Sequence, residues 1–334
     1  MFCLCSLICK RKGNITKAVF ILILFAISPQ FWFIGGSVYT DSLSMLFPVL
    51  VFWLYLRSKE QSGKKKLITY LLMALAAAIG SLIKITVIIG MIAVLIDMCF
   101  FDKPRNLLMA AACASVITAV VMAGFNGYIY SRHLNKDTRD KMMRPYIHWV
   151  MMGLHGDGRY NANDYKFTDK FKNVEEKTEK DLEETVKRIN KLGVPGLYKL
   201  ICTKSAIDFG DGTYGISDFL NIRPAYKTGV HDLVLYEGKN YKIYSTYATA
   251  LHIVLMLGMV LGVILMLIKK TYMDKKLLVP YLALMGIWLF LMCWETNRRY
   301  FSNFAPMIFI SVSLTAQRFG HILPKRKGGA EKTV

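Results

Sequence analysis

Five charged residues stand beside or within long apolar runs: Asp41, Lys84, Glu295, Arg298 and Arg299. A charge at such a place is costly and usually faces protein or water rather than lipid. Lys84 is the extreme case, because it is the only charged residue between Lys66 and Asp97. Three cations and two carboxylates suit a phosphorylated amphiphile. Arginine grips phosphate through a bidentate fork, and lysine acts as a point charge. A carboxylate close by can serve as general base or orient a hydroxyl. Plainer roles compete at each position. Lys84 can snorkel to the membrane interface. Arg298 and Arg299 can pair with Glu295 or with lipid headgroups, and Asp41 can cap a helix that starts at Ser42. Three outer-loop candidates join them: His155 and Asp157 in a Gly-rich stretch, and Asp211 in a Gly/Asp cluster over 208–215. Solvated turn residues are the plain alternative there. His231–Asp232 has no partner at metal-ligand spacing, and no P-loop, dinucleotide fingerprint, nucleophile elbow or zinc motif is present. No metal site or other cofactor is therefore assigned, and a need for a divalent ion is left open.

These residues must be positioned by membrane helices. Of the 334 residues, 54% are hydrophobic, and the mean hydropathy is +0.34. The apolar residues fall into runs of about the length that crosses a bilayer, roughly 17–25 residues. The expected fold is an all-α polytopic membrane protein with about eight spans, at 18–34, 42–56, 67–81, 85–101, 107–130, 246–268, 277–294 and 304–319. Residues 1–9 read as the tail of another helix or a very short leader. The net charge of +20 does not point to nucleic acid. Its lysines and arginines gather in 10–17, 57–66, 102–106, 269–276 and the tail after 320, which fits the positive-inside rule. With those segments cytoplasmic, 35–41, 80–84, 295–303 and the long segment 131–245 face outward. The organisation is then membrane spans over 1–130, an extracytoplasmic segment over 131–245, and membrane spans with a basic tail over 246–334. The run 67–101 tests this scheme. One helix of that length would exceed 50 Å at about 1.5 Å per residue, against roughly 30 Å of hydrocarbon. Two short spans turning at Gly80, Ser81 and Lys84 keep the sides consistent.

The outer segment is expected to be mainly helical. Residues 145–154 carry Tyr146, Ile147, Trp149, Met151 and Met152 and read as an interfacial helix with an aromatic anchor. Residues 173–192 read as a helix with Leu182, Val186 and Ile189 on one face, ending at Gly193. A second amphipathic stretch, 197–207, follows Pro195 and Gly196, and 233–244 suits a hairpin. Only Cys202 of the seven cysteines falls in this segment, so no disulfide framework is expected. Cys3, Cys5 and Cys9 beside the basic stretch read as membrane-embedded thiols, with palmitoylation or metal binding as the alternative.

Several stretches resemble bacterial membrane glycosyltransferases of the GT-C type, in the protein-mannosyltransferase and aminoarabinose-transferase-like group that uses polyprenyl-phosphate sugars. They are ISPQFWFIGGSVYTDSLSML (27–46), GSLIKITVIIGMIA (80–93), NRRYFSNFAPMIFI (297–310), and HWVMMGLHGDGRYNANDYKFT (148–168) with DFGDGTY (208–214). The resemblance implies transfer of a sugar from a polyprenyl-phosphate donor to a glycan or protein acceptor at the outer face of a bacterial plasma membrane. Lys84 with Arg298 or Arg299 would hold the lipid phosphate, and Asp41 would sit near the sugar or acceptor. Membrane lipids are the other expected partners. Members of that group carry their main catalytic base in an acidic first outer loop, and no residue here matches it. The catalytic residue is therefore unassigned, and the chain reads as the C-terminal portion of a longer enzyme, a product of a misassigned start, or an inactive remnant. The alternative is a non-catalytic membrane protein that binds or moves lipid-linked sugars.

Overall fold

The computed structural model describes residues 1–9, 16–35, 39–220, 226, 228–268 and 278–319. The basic stretches 10–15 and 269–276, part of the 35–41 loop and the tail after 320 lie outside the described residues. Among the described residues there are helices and no strand. The first membrane group comprises α1 (Phe2–Cys9), α2 (Thr16–Ala26), α3 (Pro29–Gly35), α4 (Thr40–Ser44), α5 (Leu46–Lys59), α6 (Gly63–Ile83), α7 (Ile88–Phe101) and α8 (Pro104–Arg132). A cover follows: α9 (Lys136–Met142), α10 (Tyr146–Gly153), α11 (Ala162–Thr168), α12 (Val174–Phe209), α13 (Ile216–Leu220) and α14 (Gly229–Val234). The last group is α15 (Tyr241–Ile268), α16 (Leu278–Cys293) and α17 (Ala305–Phe319), with a 3₁₀ helix, Arg298–Phe304, between the last two.

Among the described residues three helices, α6, α8 and α15, are long and apolar enough to cross a membrane alone, and α2 with α3, bent by 78°, makes a fourth if counted as one span. The other apolar runs form shorter helices, such as α7 with 14 residues and α16 with 16. At about 1.5 Å per residue these fall short of roughly 30 Å of hydrocarbon. The helices thus occupy the segments expected from the sequence, while the count of complete spans among the described residues is three or four by length.

The turn at Lys84 is present. Helix α6 ends at Ile83, Lys84 takes an extended conformation (φ −151°, ψ 115°), and a 3₁₀ turn leads into α7. Asp97 and Asp102, at the far end of α7, meet Tyr55 and Lys59 at the end of α5, close to where α6 begins. Helices α6 and α7 therefore run up and back, with Lys84 at the apex. The apex end is called the upper end below. At the turn, an added Cβ on Gly80 would lie 2.7 Å from both Phe47 and Val87 side-chain atoms, so only glycine lets them meet there.

Two expectations for the outer segment change. Residues 233–244 form no hairpin. Asn240 N–H donates to Asp232 O (2.9 Å), and this tight turn joins α14 to α15. The reason lies in the spacing of the apolar side: Tyr244, Ala248, His252, Leu255 and Met259 are buried at intervals of three and four, a helical period. Helix α15 accordingly starts at Tyr241. The second change concerns α12. Its chain is non-helical at Gly193 (φ 57°, ψ −175°), as the glycine position implies, so it is two helices, 174–192 and 194–209. The apolar face named from the sequence is exposed rather than buried: Leu182 by 50%, Val186 by 49% and Ile189 by 40%. The buried face carries Lys177, Asp181 and Thr185.

Candidate functional site

The upper end gathers most of the charged residues singled out from the sequence. Asp41 is fully buried in the first turn of α4, and the cap position is Tyr39, not Asp41. Its carboxylate forms an ion pair with Lys84. The Lys84 ammonium also sits over the Tyr300 ring, 4.4 Å from its centre. Tyr300 donates to Glu295 Oε1 (3.2 Å). The Arg299 guanidinium lies 5.1 Å from the Tyr39 ring centre and 6.0 Å from that of Tyr300. Arg298 is paired with the Asp211 carboxylate. Asn303 donates to Thr86 Oγ1 (2.9 Å), which pins the 3₁₀ helix to the Lys84 turn.

Local structure explains this convergence. The break at Lys84 points a lysine out of two apolar helices. The 3₁₀ helix opens with Asn297 accepting from Arg299 N–H (3.1 Å), and it returns the chain into the bundle, burying Phe301, Ser302, Asn303 and Phe304. Asp211 is delivered by the 208–215 knot. There Gly212 packs so closely that an added Cβ would lie 2.1 Å from Ala248 O. Tyr214, with φ 50°, buries its ring and shares a 3.2 Å hydrogen bond between its hydroxyl and His252 Nδ1. A cavity of about 210 Å³ adjoins the cluster, lined by Lys84, Thr86, Trp149, Phe290, Trp294 and Tyr300 among others. It offers one cation, two hydroxyls and an aromatic wall, which can accommodate a polar head with an apolar neighbour. Among the described residues no group of three or more His, Cys, Asp and Glu side chains could hold a metal ion.

His155 and Asp157 do not join this cluster. His155 Nδ1 is 3.0 Å from Asp164, which Arg188 grips with two bonds of 2.8 and 2.9 Å. Burial alone would raise the Asp164 carboxyl, but the Arg188 fork and His155 outweigh it and hold it below the usual range. Asp157 is half-exposed and pairs with Arg159. Their loop still touches the site from behind. Thr296 N–H donates to Gly158 O (2.7 Å), and an added Cβ on Gly153 would lie 2.4 Å from Trp294 O.

Several polar residues escaped the sequence reading. Tyr300 and Tyr39 flank the cations, and only their place beside Arg299 and Asp41 hinted at it. Lys204 is fully buried and donates to the backbone carbonyls of Gly153, Met292 and Trp294, so it ties α10 to the end of α16. Asp208, also fully buried, lies one helical turn further on. In the cover, His148, Thr168 and Asp181 are all fully buried in one chain of hydrogen bonds. Thr168 donates to Asp181 Oδ1 (2.7 Å) and accepts from His148 Nδ1 (2.7 Å). Burial pushes the Asp181 carboxyl up to about 6, and pushes the His148 imidazole down to about 4, with Arg144 adding to the effect. At the lower end, Tyr55, Lys59, Asp97 and Asp102 form a second charged cluster.

Comparison with curated proteins found no match, and comparison with solved structures found none either. Residues 1–319 match the sequence model of a family described as conserved hypothetical integral membrane protein, and the chain belongs to that family.

Proposed function

We propose that the upper-end cluster holds the phosphate of a lipid-linked sugar, and that the chain is the donor-binding portion of a cell-envelope glycosyltransferase, as its resemblance to the GT-C group implies. The observation that carries this reading is the gathering of Lys84 and Arg299 around Tyr300, beside an aromatic-lined cavity, with Arg298 next along the same 3₁₀ helix and paired to Asp211. Lys84 lines that cavity directly. A phosphate entering it would compete with Asp41 for the ammonium, and the aromatic wall would meet the first apolar part of the lipid. Glu295 and Asp211 would shape the site by holding Tyr300 and Arg298 in place.

A second reading, a protein that binds or moves lipid-linked sugars without transferring them, draws on a different observation. Asp41, Asp211 and Glu295 are each engaged by Lys84, Arg298 and Tyr300 respectively. A carboxylate so engaged is poorly placed to take a proton from an acceptor.

The test is binding of polyprenyl phosphate to the purified full chain by native mass spectrometry, with polyprenol and inorganic phosphate as controls. Polyprenyl phosphate is expected to bind and polyprenol to bind far less. Lys84→Ala and Arg298→Ala should each weaken it by roughly tenfold or more, the equivalent of one charge-assisted contact at ~1.4 kcal/mol per decade. Equal binding by the parent and both variants would remove the phosphate site. Release of free polyprenyl phosphate from a sugar-loaded donor would favour transfer over carriage.

A further inference from the structure

We propose that the second half of α12, residues 194–209, is embedded in the membrane surface, with Val194, Tyr198 and Ile201 facing lipid. The inference starts from depth. Helix α16 has 16 residues and no charged one, so it is about 24 Å long and fits inside roughly 30 Å of hydrocarbon. Trp288 is ten residues from its lower end, hence about 15–21 Å above the lower hydrocarbon boundary, allowing for play. Trp288 Nε1 donates to Ser205 Oγ at 3.0 Å. Ser205 also lies 3.5 Å from the Met292 sulfur. Phe209 lines an apolar cavity of about 320 Å³ together with Met256 of α15 and Leu284 of α16. This part of the cover therefore reaches well below the upper hydrocarbon boundary.

From Ser205 the chain can climb at most about 1.5 Å per residue. Ile201 is four residues away, at most about 6 Å higher along the helix, which keeps it near the upper hydrocarbon boundary. Tyr198 lies near that boundary. Val194 reaches no higher than the headgroup layer, which adds roughly 5–7 Å on each side. These three residues fall on one face at intervals of four and three. They are exposed by 81% (Val194), 71% (Tyr198) and 37% (Ile201). An adjoining face holds the helix in place: Leu200, Lys204 and Asp208 are buried against the protein. An apolar face at hydrocarbon depth, with polar residues turned inward and a tyrosine near the boundary, has the composition of a lipid-facing interfacial helix. Lys199, exposed on another face, can extend its ammonium toward headgroups. The exposed surfaces of α15 (Val254, Leu257) and α16 (Met285, Leu289) continue the same lipid-facing boundary.

The experiment uses the full chain in phosphatidylcholine–phosphatidylglycerol nanodiscs, with native cysteines replaced and one nitroxide label at 187, 198 or 201. A fourth variant keeps only Cys202, which is exposed beside the stripe and leaves its residues untouched. Labels are compared only where the thermal midpoint matches the unlabelled chain. At 198 and 201, collisions should be severalfold richer in lipid-soluble oxygen, relative to a water-soluble nickel chelate, than at 187 on the first half of α12. Cys202 should fall between. Nickel access at 198 and 201 equal to that at 187 would overturn the proposal. So would dipolar broadening between labels, which would place a second copy on this face. Phosphate binding plays no part in the readout, so this result stands apart from the proposed function.

Discussion

Breaking the Asp41–Lys84 pair one partner at a time should cost far more than removing both. Asp41 is fully buried, and the Lys84 side chain is only 11% exposed. A buried charge left without its partner destabilises by about 3–5 kcal/mol, whereas replacing both with neutral groups of similar size is close to neutral. A second route sets a ceiling. The orphan can shed its charge. For a lysine at pH 7 this costs about 1.4 kcal/mol for each of the ~3.4 units down from its reference value, near 4.6 kcal/mol. For an aspartate the distance is ~3.1 units and the cost about 4.2 kcal/mol. Asp41→Asn and Lys84→Met should each lose about 3–5 kcal/mol, and Asp41→Asn with Lys84→Met about 1 kcal/mol or less. The coupling in the double-mutant cycle is then several kcal/mol, far above the few tenths expected of independent sites. The single variants should also differ in sign with pH. Raising the pH relieves Asp41→Asn, and lowering it relieves Lys84→Met. Equilibrium unfolding of the full chain in mixed micelles at pH 6, 7.5 and 9 measures all of this. If the double variant loses the sum of the singles, or the singles lose under about 1 kcal/mol, the two charges are not a buried pair and the upper-end geometry is wrong.

Three further predictions concern the cover. His148 held neutral adds stability that is present above its usual 6.5 and lost as pH falls toward 4, while Asp181 held protonated adds stability that is present below 3.8 and lost as pH rises through about 6. Each amounts to about 3 kcal/mol at ~1.4 kcal/mol per unit, so the two slopes oppose one another between pH 4 and 6. Asp181→Asn should unmask a rise in stability of about 3 kcal/mol from pH 4 to 6.5, read by amide hydrogen exchange over 146–185. A pH profile as flat as the parent's would refute the coupling. Lys177 Nζ donates to the carbonyls of Asp140, Lys141 and Met143 at 2.9–3.2 Å. Lys177→Met strips the end of α9 of these donors and should cost about 2–4 kcal/mol, seen as faster exchange after 136. Gly153→Ala drives a methyl into Trp294 O. Overpacking of this kind costs about 1–3 kcal/mol and should loosen 294–300, detected as increased protease or exchange access there.

The helices were legible because apolar runs end where charges cluster, and the break at Lys84 was legible because a continuous helix would not fit the bilayer. Lys84's partner was not. Asp41 is 43 positions away, and nothing local distinguishes a capping aspartate from one that reaches a lysine across a fold. Arg298 and Arg299 were legible as cations, but their rings and carboxylate, Tyr39, Tyr300 and Asp211, come from separate segments joined by the 208–215 knot and the 3₁₀ helix. Asp97 stood in the sequence only as the limit of an uncharged run, yet it anchors the lower-end cluster.

The bounds of α12 and its break at Gly193 were legible, but which of its faces is buried was not. Sorting apolar residues inward assumes water outside, so a face of Leu182, Val186 and Ile189 reads as core and Lys177 as surface. The structure inverts both assignments. Lys177 and Lys204 can be buried because each ammonium ends among three backbone carbonyls that would otherwise lack donors. In the half of α12 that reaches hydrocarbon depth, the solvent itself is apolar, and exposing Tyr198 and Ile201 carries no penalty. Periodicity survives this change of solvent, but its sign does not. A helical stripe locates a face, and only depth decides whether that face belongs inside. The same logic separates Lys84 from an ordinary surface lysine: its neighbours in sequence are apolar because they meet lipid or protein, and the one charge among them must find its partner within the fold.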